Sequence, residues 1–274
     1  MFTRRTMILA TAAMTAPAAA APSLIVRGDR LFLDIMVNGQ PMRALLDSAA
    51  EMSFADTGFA RRLGLGRGHT VTARGSGGDT DAEVTDHVRV EVLGQHLSMT
   101  VAVLDLKSVS AMVHAPVDFV LGRELFDAAR LAIDIEAGSI RAVGRGQAPP
   151  GRAFNLITER GIETFPVSIE GLPPASTVFD LGNGSHVLIG AGYAQKIGLL
   201  KNHKAAQFRG GGIGGQIIRQ SVMLRQVEIA GRIFRNVAAD IDPTDSAARL
   251  NIGVSLLRHF RITTDFAARK LWLA

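Results

Sequence analysis

The chain of 274 residues contains no cysteine. Disulfide bonds, a thiol nucleophile and a zinc site with cysteine ligands are therefore excluded. The seven histidines are scattered and lack the H-E-x-x-H spacing of zinc hydrolases, so zinc catalysis does not fit the sequence. The chemistry of the chain has to come from its other side chains.

Basic tracts are also scarce. The formal net charge is +5, but Arg4 and Arg5 contribute to it, and no other basic tract is interleaved with aromatic residues. Nucleic-acid-binding proteins usually carry such a tract. We therefore expect no nucleic-acid partner.

Near the N-terminus there is only a short apolar run. Arg4 and Arg5 precede apolar residues 7–16, and alanines follow at 18–21. This order is typical of an export signal, and the run is too short to span a bilayer comfortably. We predict an export signal over residues 1–21, a periplasmic or extracellular mature protein, and no stable membrane span after signal removal. The paired arginines favour the twin-arginine route; an ordinary signal peptide and an uncleaved membrane anchor are the alternatives.

The most informative feature is a repeated segment. Residues 44–50, A-L-L-D-S-A-A, resemble residues 177–183, T-V-F-D-L-G-N. The aspartates of the two copies are Asp47 and Asp180. One aspartate per copy predicts two similar lobes that meet.

Segments downstream of both aspartates share their spacing. F-A-R-R-L-G-L at 59–65 matches Y-A-Q-K-I-G-L at 193–199, and both read as the same short helix. A hydrophobic-Gly pair then follows, with its glycine 75 residues after Asp47 and 73 after Asp180. These pairs are Leu121-Gly122 and Ile252-Gly253. We interpret the matched offsets as an internal repeat.

Strand and turn signals predict the same plan in both halves. Period-two segments outnumber helical ones, so the expected class is mainly β. Each half has a glycine-rich hairpin tip that we expect to be mobile. The tip residues are Gly75, Ser76, Gly77 and Gly78 in the first half, and Gly210, Gly211, Gly212, Gly214 and Gly215 in the second. Glycine and proline are most concentrated at 144–151, a composition typical of a linker. We therefore divide the chain into lobes 22–143 and 154–274, joined by a linker at 144–153.

Three other patterns do not support a ligand site. The glycines at 210, 212 and 215 fit G-x-G-x-x-G, but strand-like sequence follows where a helix is required. Pro243 interrupts the acidic residues 240, 242 and 245, and the glycine and final glutamate of an EF-hand are absent. Asp134 and Asp265, twelve residues after the repeated glycines, read as structural turn residues.

The repeated motifs resemble those of the pepsin and retropepsin-like aspartic proteases over essentially the whole mature chain. In that family a D-T/S-G-A/S turn lies in each lobe beside a hydrophobic-hydrophobic-Gly segment. The matching turns are Asp47-Ser48-Ala49-Ala50 and Asp180-Leu181-Gly182-Asn183, and the matching segments end in Leu121-Gly122 and Ile252-Gly253. Three positions depart from the pattern: Ala49 replaces glycine, Leu181 lacks a hydroxyl, and Asn251 replaces a hydrophobic residue.

The resemblance implies a two-lobed acid-protease fold, in which each lobe is a small closed β-barrel-like retropepsin unit with short helices and a flap hairpin. It also implies that Asp47 and Asp180 share a proton and activate a water that hydrolyses peptide bonds. No metal or cofactor is needed, the substrate is a peptide or protein, and we expect a monomer. The alternative, favoured by Leu181 and Ala49, is a peptide-binding or scaffold module that has lost hydrolysis.

Overall fold

A computed structural model describes residues 24–66 and 68–274. The predicted export signal at 1–21 lies outside this range. Strands account for 53 % of the structure and helices for 13 %, and the strands form two large sheets. This confirms the predicted mainly β, two-lobed class. No helix in the described ranges is long and apolar enough to cross a membrane.

The first lobe is built on an eight-stranded sheet. Its strands are β1 (Ile25–Arg27), β2 (Arg30–Val37), β3 (Gln40–Leu46), β4 (Ser53–Asp56), β5 (Thr70–Gly75), β6 (Gly78–Val92), β7 (Gln95–Leu104) and β8 (Phe119–Leu121). Their spatial order is β1-β2-β3-β8-β4-β7-β6-β5, and β2 also pairs with β6. Strands β2, β3, β8, β4, β7 and β6 therefore form a closed ring of paired strands.

The second lobe repeats this order. Three strands precede this lobe in the chain: β9 (Leu131–Asp134), β10 (Ser139–Ala142) and β11 (Arg152–Asn155). The lobe's own strands are β12 (Ile157–Glu159), β13 (Ile162–Ile169), β14 (Ala175–Phe179), β15 (Val187–Gly190), β16 (Ala206–Gly212), β17 (Gly215–Ile229), β18 (Arg232–Asp242) and β19 (Leu250–Ile252). They follow the order β12-β13-β14-β19-β15-β18-β17-β16, with a β13–β17 pairing. Each strand thus has a counterpart in the first lobe.

A third sheet joins the lobes. The last strands, β20 (Arg261–Asp265) and β21 (Lys270–Leu273), complete the order β10-β9-β20-β21-β11, in which β9 pairs antiparallel with β20. The predicted linker at 144–153 lies against this sheet. Arg145 forms an ion pair with the buried Asp265 at 2.8 Å, and strand β11 begins at Arg152, inside the predicted linker. The linker is therefore held in place at both ends.

Short helices fill the connections between strands. They are α1 (Thr57–Arg62), α2 (Lys107–Val113), α3 (Arg123–Ala128), α4 (Ala191–Lys196), α5 (Leu199–Asn202) and α6 (Val254–Leu257). The side chain of Asp56 caps α1 by accepting a hydrogen bond from the Gly58 amide at 2.8 Å. Helix α2 is absent from the sequence-based expectations, and it contacts strand β16 of the second lobe.

Apolar packing connects the two lobes. One core cluster contains side chains of both, and the rings of Phe126 and Phe266 stack within it at 5.0 Å. A smaller cluster belongs to the first lobe, and we call it the inner cluster. It is formed by Phe32, Leu45, Ala82, Ala102, Leu104, Leu106, Val109, Val117 and Val120.

Candidate active site

Asp47 and Asp180 occupy equivalent positions, each directly after the strand that leads into the centre of the molecule. Asp47 follows β3 and its amide donates to the Leu121 carbonyl at 3.0 Å. Asp180 follows β14 and its amide donates to the Ile252 carbonyl at 3.2 Å. The parallel pairings β3–β8 and β14–β19 therefore hold the two aspartates in the same way.

The glycines after Leu121 and Ile252 allow the backbone to pass close to these turns. A Cβ on Gly122 would lie 3.0 Å from the Ala50 carbonyl oxygen, and a Cβ on Gly253 would lie 2.5 Å from the Asn183 carbonyl oxygen. Such contacts leave no room for a side chain, so both positions require glycine. The residues that follow these glycines donate to the same two carbonyls. The Arg123 amide donates to the Ala50 carbonyl at 3.0 Å, and the Val254 amide donates to the Asn183 carbonyl at 2.8 Å.

The two turns face each other across the lobe boundary. A Cβ on Gly182 would lie 2.3 Å from the carboxyl carbon of Asp47, so only glycine fits opposite this carboxyl group. Asp47 Oδ1 accepts the Ala49 amide at 2.9 Å. Asp180 Oδ1 accepts the amides of Gly182 at 2.8 Å and Asn183 at 2.9 Å. Backbone donors therefore fix both carboxyl groups.

Burial makes it unfavourable for both carboxyl groups to be charged. Burial, and then the charge of Asp180, raise the pKa of Asp47 to about 7. Burial also raises the pKa of Asp180, although hydrogen bonds to its ionised form act in the opposite direction. Two acids that interact this strongly titrate as a pair, so the pair retains a proton at pH values where isolated carboxylic acids have lost theirs.

Ser48 connects the two turns. Its hydroxyl accepts the Leu181 amide at 2.9 Å and donates to the Phe179 carbonyl at 2.8 Å. Ser48 is 2 % exposed and Leu181 is fully buried in the main core. One lobe therefore contributes a hydroxyl to the junction and the other contributes apolar packing.

Two polar residues beside Asp47 and Asp180 were not predicted as site residues, although Asn251 was noted as a departure from the family pattern. Asn251 donates its amide to Asp180 Oδ2 at 2.6 Å. Arg30 donates to the Gly182 carbonyl, and its charge acts on both aspartates. A role for Asn251 could have been inferred from the sequence. The equivalent residue of the first lobe is the apolar Val120, and a side-chain amide at this position needs a polar partner. Arg30 belongs to no recognisable motif.

The two glycine-rich tips form a pair of flaps that touch each other. The first flap, at 75–78, and the second, at 210–215, exchange backbone contacts: the Gly77 amide donates to the Ile213 carbonyl at 2.9 Å. The Ser76 hydroxyl donates to the Gly211 carbonyl at 3.2 Å. Cβ atoms on Gly77 and Gly214 would each lie 2.1 Å from a backbone oxygen of the opposite flap. The glycines therefore permit close packing of one tip on the other.

Each flap also contacts the opposite lobe. Ile213, at the tip of the second flap, packs against the inner cluster, and Ser108 of α2 donates its hydroxyl to the Gly212 carbonyl at 3.2 Å. Arg219, on β17, donates to the Ser76 carbonyl of the first flap at 2.8 Å. It also pairs with Asp242 at 3.3 Å, and both side chains are buried. No motif in the sequence indicates these anchors.

Comparison with known proteins adds a family match for the first lobe. Residues 33–125 match the model of the aspartyl protease family, a span that includes Asp47 and Gly122. The chain is also similar to DNA damage-inducible protein 1 of Candida glabrata, with 24 % identity over 147 residues. That alignment covers 50 % of this chain and 32 % of the relative. The resemblance to aspartic proteases inferred from the repeated motif is confirmed for the first lobe.

Proposed function

We propose, starting from a first lobe that matches the aspartyl protease family, that the chain is an exported aspartic endopeptidase with Asp47 and Asp180 as its dyad. One observation carries the proposal: two aspartates at equivalent turns face each other, and Gly182 packs directly on the Asp47 carboxyl group. The raised pKa of Asp47 supports it, because the reaction needs one protonated and one ionised carboxyl group.

The chemistry of such a pair is general acid-base catalysis. The ionised carboxylate takes a proton from a water, whose oxygen attacks the carbonyl carbon of the scissile peptide bond. The protonated carboxyl group hydrogen-bonds the carbonyl oxygen as negative charge develops on it. The flaps would cover an extended peptide, bond to its backbone and exclude bulk water.

Hydrolysis of a peptide library by the purified protein tests the proposal. We expect cleavage that is lost by orders of magnitude in Asp47→Asn and in Asp180→Asn, because both carboxyl groups serve one water. Asp134→Asn, at a turn in the sheet that joins the lobes, is the matched control. Normal turnover by either dyad variant would contradict the mechanism.

The rival function is peptide binding without hydrolysis. It is favoured by Leu181, which is fully buried where the family has a hydroxyl, so of the two turns one contributes a side-chain hydroxyl to their junction, that of Ser48. A library that is bound but left intact by the wild-type protein would support this reading.

Export is the remaining part of the proposal, and it rests on residues 1–21. Fractionation of bacterial cells expressing the full chain tests it. We expect a shortened mature chain outside the cytoplasm, and retention inside when Arg4 and Arg5 are both replaced by lysine, if the twin-arginine route is used. Processing that is unaffected by this change would favour the ordinary signal peptide.

A further inference from the structure

We propose that Asn251 is a positioning residue that fixes Asp180 as the ionised member of the dyad and leaves Asp47 as the proton donor. This inference rests on the proposed hydrolytic function and assigns the two roles within it. It starts from a single difference between the lobes, because the residue that corresponds to Asn251 in the first lobe is Val120.

The orientation of the Asn251 amide is set by its neighbours. Its Oδ1 accepts a hydrogen bond from Asn183 Nδ2 at 2.8 Å, and its Nδ2 donates to Asp180 Oδ2 at 2.6 Å. Asn183 is itself fixed, because its Oδ1 accepts the Ser185 amide at 2.8 Å. A flipped Asn251 would place its oxygen against the carboxylate and its NH2 against the Asn183 NH2. The chain of amides therefore directs only a donor at Asp180 Oδ2.

Donors to the two carboxyl groups are unequal as a result. Asp180 accepts two backbone amides on Oδ1 and the Asn251 amide on Oδ2. Asp47 accepts backbone amides of its own turn, and Val120 supplies no side-chain donor beside it. Hydrogen bonds from donors favour the ionised form of a carboxyl group. The proton retained by the pair therefore resides on Asp47.

The other charged groups near the dyad do not reverse this preference for a proton on Asp47. Arg30 acts on both aspartates, with the larger effect on Asp180, and Asp29 lies beside Arg30. The hydrogen bond from Asn251 is the largest single effect favouring the ionised form of Asp180. Arg30 and Asn251 thus act in the same direction.

The assignment defines the path of each proton. Asp180 removes a proton from the water as the water oxygen bonds to the carbonyl carbon, and Asp47 gives its proton to the carbonyl oxygen. When the C–N bond breaks, the proton on Asp180 passes to the leaving amine and the hydroxyl proton returns to Asp47. Asn251 takes part in no proton transfer, because it holds the carboxylate from the side.

Replacing Asn251 with valine removes the donor and copies the residue of the first lobe. We expect the acid limb of the pH profile of kcat/KM to move to higher pH by about one unit, because a hydrogen bond to a charged group is lost. KM should change little, because Asn251 contacts the dyad and not the flaps. Val120→Ala, which alters packing but no donor, is the control and should leave the acid limb in place. An unshifted acid limb in folded Asn251→Val protein would overturn the proposal.

A second measurement does not require turnover. The dyad carboxyl groups have raised pKa values in the folded protein, so their contribution to stability is complete below about pH 4 and is lost as pH rises through the folded pKa. In Asn251→Val the pKa of Asp180 rises further. The free energy of unfolding should then fall more steeply between about pH 4 and pH 7 than in the wild type, whereas superimposable curves would overturn the role of Asn251.

The two measurements separate this inference from the proposed function. If the wild type cleaves no peptide, the hydrolytic proposal fails, and the unfolding titration still decides whether Asn251 stabilises the charge on Asp180. If Asn251→Val does not fold, Asn251→Ala removes the donor without adding bulk and carries the same expectations. The triple variant Ala50→Asn, Val120→Asn, Asn251→Val moves both the donor and the amide that orients it to the side of Asp47, and it should return the acid limb towards its original position. An acid limb that stays at high pH in the folded triple variant would contradict the assignment.

Discussion

The two lobes share one plan, but side chains at three equivalent strand positions differ in chemistry. In the first lobe, equivalent positions on β6, β7 and β8 carry Ala82, Leu104 and Val120, all within the inner cluster. In the second lobe the corresponding positions on β17, β18 and β19 carry Arg219, Asp242 and Asn251. We call the first three side chains the apolar wall and the second three the polar wall.

The flap tips match this difference. The second flap presents Ile213 to the apolar wall, and the first flap presents the Ser76 carbonyl to Arg219 on the polar wall. Each tip is thus complementary to the lobe it meets and not to its own lobe. A single chain can make such asymmetric contacts, whereas two identical subunits would have to place the same residues on both sides.

The dyad shows how this asymmetry affects chemistry. A symmetric pair of aspartates has no preference for which carboxyl group carries the proton, but the polar wall supplies a donor to Asp180 alone. Substitutions in one lobe test this asymmetry against controls in the other lobe or outside the dyad.

The largest effect is expected at Gly182. A methyl group there would lie 2.3 Å from the carboxyl carbon of Asp47, so Gly182→Ala must displace one of the two turns. A misplacement of about 1 Å can cost about a hundredfold in rate, and we expect kcat to fall at least that much. The equivalent residue of the first lobe is already alanine, so Ala49→Gly should leave kcat within a few fold. Similar losses in the two variants would show that the turns are packed alike.

The pH dependence of stability should depend on Asp47. Its raised pKa means that the free energy of unfolding declines as pH rises from about 4 to 7, because the folded state holds a proton that the unfolded chain releases. Asp47→Asn should flatten this decline when unfolding is followed by chemical denaturation across the pH range. Asp134→Asn serves as the control outside the cleft, and an unchanged slope in Asp47→Asn would show that the dyad does not retain the proton.

A smaller effect is expected at the junction between the turns. Ser48→Ala leaves the buried Leu181 amide and Phe179 carbonyl without their partner, which should lower the free energy of unfolding by about 2 kcal/mol. Leu181→Thr should lower it as well, because a buried apolar side chain is lost. It should nevertheless raise kcat by up to about tenfold, because a second hydroxyl would align the carboxyl groups. Folded Leu181→Thr protein with unchanged kcat would mean that leucine packing already sets the geometry.

The smallest effect is expected at the flaps. Arg219→Ala, which copies Ala82 of the first lobe, removes the donor to the Ser76 carbonyl. Amide hydrogen exchange should then increase at residues 75–78 more than at 210–215. Ser108→Ala removes the anchor of the Gly212 carbonyl and should produce the reverse pattern. Equal changes in both flaps would mean that the tips open as one unit.

Motif spacing was sufficient to predict the general fold and the location of the facing turns. The matched offsets of Asp47 and Asp180 predicted two lobes, each with one of these aspartates at a turn. Helix α2 could not be predicted, because it occurs in one lobe only and has no equivalent in the repeat. Arg30 and Arg219 were missed for a related reason, since their partners are distant in sequence and lie in the opposite lobe or flap.

Binding of a statine-type transition-state analogue, measured by calorimetry, tests most directly whether both lobes contribute to one site. Such a ligand places a hydroxyl between the two carboxyl groups and does not depend on turnover. We expect one analogue to bind per chain of the wild-type protein, and binding to weaken at least a hundredfold in both Asp47→Asn and Asp180→Asn. Unchanged affinity in either variant would contradict a shared dyad.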